Sequence, residues 1–229
     1  MPTPILYRDP EPRSGQRNMA IDAWMLTQAI DAEQLSFRFY QWNQPTLSLG
    51  YFQEKTGSVP KALGDLPTVG RLSGGGAILH DQELTYSFAV PGTHPLATNP
   101  TQLYELMHLA IQETLQELGV ESGLRGVENK EVNGRFLCFL RGDRHDLLCK
   151  GHKILGSAQR RRKGAILQHG SLILSSSPRA PEIPGVLELS GVKIDPSLLA
   201  GLLAGKLGFF SEIWQEQALS AEVLASLDD

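Results

Sequence analysis

Three consecutive glycines, Gly74, Gly75 and Gly76, stand between strand-forming stretches in the segment from Gly70 to Phe88. Glycine has no Cβ, so such a backbone can approach a ligand closely and take positive φ angles. Its exposed N–H groups can point at a carbonyl or a phosphate. A strand carrying Val69 and Leu72 leads into the tract, and a second follows through Ala77, Ile78 and Leu79. His80-Asp81 then turns the chain into a third strand, in which Leu84, Tyr86, Phe88 and Val90 alternate with Thr85, Ser87 and Ala89. By turn chemistry alone the glycine tract reads as a hairpin turn. The other reading is a cradle for a ligand.

Around this centre the periodicities alternate between helix and strand. Asn18 is an N-cap candidate, followed by an apolar stripe of Met19, Ala23, Leu26 and Ile30. Leu35, Phe37 and Phe39 alternate with Ser36, Arg38 and Tyr40 as in a half-buried strand, and Thr46 to Gln53 reads as another. A second helix is expected over Thr101–Leu118, stopped by Gly119. Short strands follow over Asp146–Lys150 and His152–Ser157, then Ala165–Leu174, broken at His169-Gly170. The last 45 residues read as helical, with starts at Pro196 and Ser220. Without strict βαβ alternation, the pattern predicts an α+β fold: a mixed, mainly antiparallel sheet with packed helices. At 229 residues a single domain over 1–229 is expected, with a small helical piece from about 181.

Composition excludes several classes. The net charge of −4 gives no reason to expect nucleic acid as a partner. The apolar run Leu198–Phe210 is too short and too interrupted to span a bilayer, so no membrane association is expected. The first sixteen residues lack the apolar core of a secretory signal. Two cysteines, Cys138 and Cys149, make no disulfide framework, and a reduced, cytoplasmic protein is the natural reading.

Few residues invite chemistry. Cys138 reads either as a small hydrophobe among Phe136, Leu137, Phe139 and Leu140 or as a nucleophile favoured by Arg135, Arg141 and Arg144. Cys149 reads as packing. Lys153 follows a tight turn at Lys150-Gly151-His152, where a lysine can polarise a carbonyl or manage its proton. No two of the six histidines (His80, His94, His108, His145, His152, His169) have metal-ligand spacing, so no metal is expected. His80 and His169 are candidates for a site wall or for structural hydrogen bonding. Arg160, Arg161, Arg162 and Lys163 read as a solvated hairpin tip or a docking patch for an acidic partner.

Several of these stretches together resemble the lipoate/octanoate protein transferase and ligase family. They are Arg38-Phe39-Tyr40 with Trp42, Pro45 to Gln53, the glycine tract, Lys153 to Arg160, and Leu167 to Ser171. They follow the family's order and cover about residues 18–174. The resemblance implies the fold of the biotin protein ligase catalytic domain. It also implies acyl transfer to a lysine of a lipoyl domain or of the glycine-cleavage H protein. His80-Asp81-Gln82-Glu83-Leu84-Thr85-Tyr86-Ser87 is most similar to the cysteine-dependent octanoyltransferases, and Cys138, fifteen positions before Lys153, matches their nucleophile.

That resemblance implies Cys138 and Lys153 as catalytic residues. Arg71, Ser73, Gly74, Gly75, Gly76, Ala77, His80, Gly156, Ser157, Ala158 and His169 are implied around the substrate, with Leu72, Ile78 and Leu79 lining an apolar slot. It further implies a monomer that takes octanoate from octanoyl–acyl carrier protein in lipoate biosynthesis, without cofactor. Two alternatives stay open. One is an ATP- and Mg2+-dependent lipoate–protein ligase; the other is an amidotransferase that moves the acyl group from H protein to lipoyl domains.

Overall fold

A computed structural model describes residues 2–53, 59, 63–126, 137–140 and 142–227. The first strand, β1 (Ile5–Arg8), is followed by helix α1 (Gly15–Asp31) and strand β2 (Ser36–Tyr40). Strands β3 (Thr46–Leu49), β4 (Thr68–Gly70), β5 (Ile78–His80) and β6 (Glu83–Val90) come next. Helix α2 (Pro100–Glu117) leads to β7 (Gly123–Leu124), β8 (Leu147–Cys149), β9 (His152–Arg162) and β10 (Ala165–Ile173). Helices α3 (Val186–Ser190) and α4 (Pro196–Ala204), strand β11 (Gln215–Ala218) and helix α5 (Ala221–Ser226) complete the chain.

Eight strands form one sheet in the order β11-β1-β2-β6-β10-β9-β8-β7, and three form a smaller one, β4-β3-β5. Only the β11–β1 and β1–β2 pairs of the large sheet are parallel. The expected mixed, mainly antiparallel sheet with packed helices is therefore the fold. On one face, Phe37, Tyr86, Phe88 and Leu155 pack with Met107, Ile111 and Leu115 of α2 and Leu199 and Leu203 of α4. On the other, Ala89 and Leu167 pack with Ile21, Met25 and Leu26 of α1.

Several elements differ from the sequence expectation, each for a local reason. The glycine tract is no hairpin. β4 and β5 do not pair with each other but flank β3 on its two sides, so the tract crosses from one edge of the small sheet to the other. Ser14, not Asn18, caps α1 by accepting from the Arg17 N–H. Asn18 lies one turn inside, fully buried, with its amide donating to the Gln41 carbonyl. The stripe of Met19, Ala23 and Ile30 is only half-buried, because the helix turns the polar Asn18 and Asp22 inward with Ile21, Met25 and Ala29.

β2 is buried on both faces rather than one, since α1 covers its Arg38 side. β10 runs through His169-Gly170 unbroken, and β9 extends to Arg162. The helical reading of the last segment holds at Pro196 and Ser220 but misses β11, whose polar Gln-Glu-Gln-Ala carries no apolar alternation. Residues 54–58, 60–62 and 127–136 lie outside the described residues. Among those described, no helix is long and apolar enough to cross a membrane.

The segment from 181 onward contributes Val186, Leu199, Leu203, Leu207 and Phe210 to the core beneath Phe37 and Phe88. Leu199→Ala should therefore cost about 2–5 kcal/mol, the range for a large side chain removed from a packed core. Equilibrium urea unfolding measures it, and a loss under ~0.5 kcal/mol would mean that this segment stabilises nothing else.

Candidate active site

Alternation along the central strands sends every second side chain to the α1 side of the sheet. Pairing register then aligns these residues in rows. Arg38, Ser87, His169 and Ala158 form one row; Tyr40, Thr85, Ser171 and Gly156 form the next. The small sheet closes over them and brings Ser48, Arg71, Ile78 and His80 opposite. The cavity between encloses about 60 Å³, with Met19, Trp42 and Phe139 in its wall.

Cys138 begins a short 3-10 turn, Cys138–Leu140, at this cavity. Its N–H donates to the Ala77 carbonyl at 2.6 Å, so the residue that ends the glycine tract holds the cysteine backbone. Lys153 reaches the same place from β9. A bulge sets Leu147 opposite Leu155 but Leu148 opposite Lys153. The extra residue turns Lys153 onto the cavity side, a recurrent use of bulges beside functional sites. Lys153 Nζ lies 3.9 Å from Cys138 Sγ and 2.9 Å from Asp146 Oδ1, with the Phe139 ring centroid at 5.3 Å. The lysine lies flat because Gly156 has no side chain. A Cβ there would stand 2.5 Å from Lys153 Cε and 2.7 Å from Nζ.

Arg71 braces the glycine tract from behind. Its guanidinium donates to the carbonyls of Gly74 (2.8 Å), Gly76 (2.7 Å) and Ser48 (3.1 Å) and to Ser48 Oγ (3.2 Å). Among the described residues no carboxylate forms an ion pair with it. Burial pulls it down to about 10, partly offset by the nearby Cys138 sulfur. Gly75 takes φ +96°, a conformation few side chains adopt, and its carbonyl passes so close to Gly50 that a Cβ there would stand 2.2 Å away.

Both wall histidines are held at both nitrogens. His169 Nδ1 donates to Asp22 Oδ2 at 3.0 Å, and Nε2 meets Ser73 Oγ at 2.5 Å. Burial alone would lift the Asp22 carboxyl, but Arg38 and His169 outweigh it and hold it below the usual range. His80 Nδ1 faces Glu83 Oε1 at 2.7 Å and Nε2 faces Ser48 Oγ at 2.7 Å, while the ring stacks on Trp42 at 3.8 Å. Ser48 Oγ accepts from Arg71, which leaves its own hydrogen for His80.

Of the residues expected around the substrate, Arg71, Gly74, Gly75, His80, Gly156, Ser157, Ala158 and His169 line the cavity with Cys138 and Lys153. Ser73, Gly76 and Ala77 stand behind the wall and act on it through His169, Arg71 and Cys138. Ile78 lines the slot, but Leu72 packs beside α1 and Leu79 packs with Leu47 and Ile173. Cys149 is buried in β8, and burial raises its thiol above the usual value. Arg135 and Arg141 lie outside the described residues, and exposed Arg144 bonds His145 instead of reaching Cys138. Among the described residues no three His, Cys, Asp or Glu side chains are placed to hold a metal ion.

Periodicity missed three polar groups. Asp22 and Asp146 read as ordinary surface acids in a sequence. His108 sits in the apolar stripe of α2, fully buried, with Nδ1 on the His145 carbonyl and Nε2 on Ser157 Oγ at 2.6 Å. The Tyr86 hydroxyl joins Ser157 at 2.6 Å across Gly170, so the Ser157 hydroxyl points away from the cavity, toward α2. Burial pulls His108 down to about 4 from 6.5. Between those values the unfolded chain binds the extra proton, so folding stability falls as pH drops from about 6.5 to 4. His108→Gln should remove about 3 kcal/mol of that pH dependence. Urea unfolding at pH 7 and 4.5 tests this, and an unchanged difference would contradict a neutral buried imidazole.

Residues 14–183 match the lipoyl protein ligase A/B catalytic domain. The octanoyltransferase LipM of Moorella thermoacetica is 36% identical over 193 residues, covering 80% of this chain and 69% of that protein. LipM of Brevibacillus brevis is 35% identical over 178 residues, covering 72% of this chain. The alignment spans 63% of the Brevibacillus protein, less than two thirds of its length. Lipoate-protein ligase A bound with ATP shares the fold, with a TM-score of 0.74 at 19% identity over 98% of this chain and 92% of that one. A bi-partite lipoate protein ligase from Thermoplasma acidophilum superposes with a TM-score of 0.72 at 19% identity, covering 98% and 90%. With that match and these relatives, the chain belongs to the lipoyl protein ligase A/B catalytic domain family.

Proposed function

We propose that this chain is an octanoyltransferase that moves octanoate from acyl carrier protein to a lysine of lipoyl domains or the glycine-cleavage H protein. The observation that carries the reading is the approach of Lys153 Nζ to Cys138 Sγ at 3.9 Å beside an apolar-walled cavity. The similarity to LipM octanoyltransferases supports it. In the first step the Cys138 thiolate attacks the octanoyl thioester. The bond from the acyl carbon to the carrier sulfur breaks, and Lys153 gives its proton to the departing thiolate. The cysteine thioester is a workable intermediate because a thiolate is both a good nucleophile and a good leaving group. In the second step the acceptor amine attacks the thioester, an amide forms, Cys138 leaves as thiolate, and Lys153 takes the amine proton. The cycle closes without ATP, in a reduced cytoplasm that keeps both cysteines free.

The cavity, at about 60 Å³, is small for an eight-carbon chain. The acyl chain therefore enters by displacing wall side chains, and Met19, unbranched and easily repacked, yields most readily. Each methylene buried contributes ~0.8 kcal/mol, enough to measure chain length. The basic run sits at the β9–β10 turn, where Lys163 and Gly164 take positive φ. Arg161, Arg162 and Lys163 are exposed there, while Arg160 lies over Tyr51. Exposed like charges of this kind steer an acidic protein partner.

Intact-mass measurement after incubation with octanoyl–acyl carrier protein, without ATP, tests the reading. One hydroxylamine-labile octanoyl group is expected on the wild type and on Cys149→Ser, and none on Cys138→Ser. An adduct on Cys149, or activity that requires ATP and free lipoate, would overturn it. Lys153→Arg should slow transfer by about 100-fold or more, within the range for a lost acid–base group. Reversing Arg161 and Arg162 to Glu should slow transfer at low salt, with the difference shrinking as salt screens the charges. Equal rates at low salt would remove the hairpin from docking.

A further inference from the structure

Lys153 has to hold a proton in one half of this cycle and lack it in the other, and among the described residues one carboxylate, that of Asp146, faces it. Asp146 is 3% exposed and ends the turn before β8. Its N–H donates to the Asp143 carbonyl at 3.1 Å, and its own carbonyl accepts from the Arg125 N–H at 2.8 Å. Oδ2 accepts from the Asp143 N–H at 2.7 Å. One carboxylate oxygen is thus committed to the turn, and Oδ1 is left aimed at Lys153 Nζ, 2.9 Å away. The bulge in β9 and the missing side chain of Gly156 complete the alignment: Cys138, Lys153 and Asp146 stand in sequence, with the ammonium between sulfur and carboxylate.

We propose that Asp146 is the positioning residue for Lys153, fixing the direction of Nζ so that the lysine meets the acceptor's proton at the thioester. This rests on the Cys138 acyl-enzyme reading. Before acylation Lys153 faces two anions, the Cys138 thiolate and the Asp146 carboxylate. Once Cys138 carries the octanoyl group its sulfur is neutral, and Asp146 is the remaining anion in contact with Nζ. Asp146 therefore holds the Lys153 nitrogen beside the thioester when no thiolate attracts it.

Among the described residues, the other ionisable groups around this pair are Asp143, His145, Arg125 and His108. Asp143 and His145 share the Asp146 turn, and Arg125 approaches Oδ2 at 3.6 Å. His108 of α2 reaches the turn through the His145 carbonyl, and burial keeps it neutral above about pH 4. Burial lifts the Asp146 carboxyl above its usual value, and Lys153 and the Asp143 N–H oppose that lift.

The test isolates the second half-reaction. Wild type, Asp146→Asn and Asp146→Glu are each octanoylated with octanoyl–acyl carrier protein, freed of donor, and mixed with a lipoyl domain in single turnovers across pH. The acceptor's own titration is common to all three and cancels in the comparison. Asp146→Asn keeps the shape and an acceptor for the Asp143 N–H, so it is expected to fold, as thermal melting would verify. Its transfer rate at saturating lipoyl domain should fall about 10-fold or more at every pH, with the half-saturating acceptor concentration unchanged. Asp146→Glu, which keeps the charge, should return the rate toward wild type even if it folds less stably. A purely structural role would lower both half-reactions and would not be rescued by the charge. Equal transfer rates in acylated wild type and Asp146→Asn would overturn the role of Asp146 and leave Cys138 in place. Failure of the wild type to form the Cys138 adduct would overturn both.

Discussion

One buried guanidinium ties the molecule together. Arg38 is fully buried in β2 and donates to Asp9 after β1, to Asp22 and the Asn18 carbonyl of α1, and to Ser87 of β6. Asp22 then passes the connection to His169 of β10, and His169 passes it to Ser73 at the mouth of the glycine tract. A charge buried this deeply is tolerated because nearly every donor it has is satisfied, and breaking such a set by removing one partner costs about 3–5 kcal/mol. The same set fixes the register of α1 on the sheet. A helix held only by Ile21, Met25 and Leu26 could slide; one that must place Asp22 on a guanidinium cannot.

The candidate site inherits its geometry from this arrangement. The row that contains Arg38 ends at Ala158, and in the next row, Tyr40, Thr85, Ser171 and Gly156, the side chains shrink from β2 toward β9. The diminishing row opens the space that Lys153 crosses and Cys138 faces. Arg71 performs a similar service for the smaller sheet, where it collects carbonyls of the glycine tract as an ordinary turn would not. Two buried arginines, one per sheet, thus hold the two walls, and the reactive pair lies at their seam. The site depends less on any one loop than on strand registers fixed far from the sulfur.

Much of this was legible in the residues. The alternation in Leu84–Val90 marked a central strand, the apolar stripe of Leu103 to Leu115 marked α2, and the resemblance to the family's stretches pointed to Cys138 and Lys153. What stayed hidden has a common physical cause. Apolar periodicity registers residues that leave water for packing, and is blind to those that leave it for a partner. Asn18 and Asp22 face inward to serve Arg38, so α1 was read a fraction of a turn out of phase. Asp146 looks like any loop acid until a bulge in the neighbouring strand β9 aims a lysine at it. The glycine tract looked like a hairpin because the strands on either side are adjacent in sequence; that β3 lies between them depends on a pairing made across more than twenty residues.

β11 deserves a last consideration as the partner of β1. β1 carries Ile5, Leu6 and Tyr7, and one side is taken by β2. The other side remains an open row of backbone donors and acceptors until Gln215–Ala218 arrives, almost the whole chain later. An apolar strand with a free edge is a template for pairing with other chains. The strand that covers it is nearly all polar, and Glu216 pairs with Arg8 across the join. The margin of the sheet is thus sticky until β11 has been made and hydrophilic afterwards. Whatever protects a nascent chain of this kind has to act until Gln215–Ala218 emerge, and a chain shortened before Gln215 would carry its aggregation hazard at the first strand rather than at the cut.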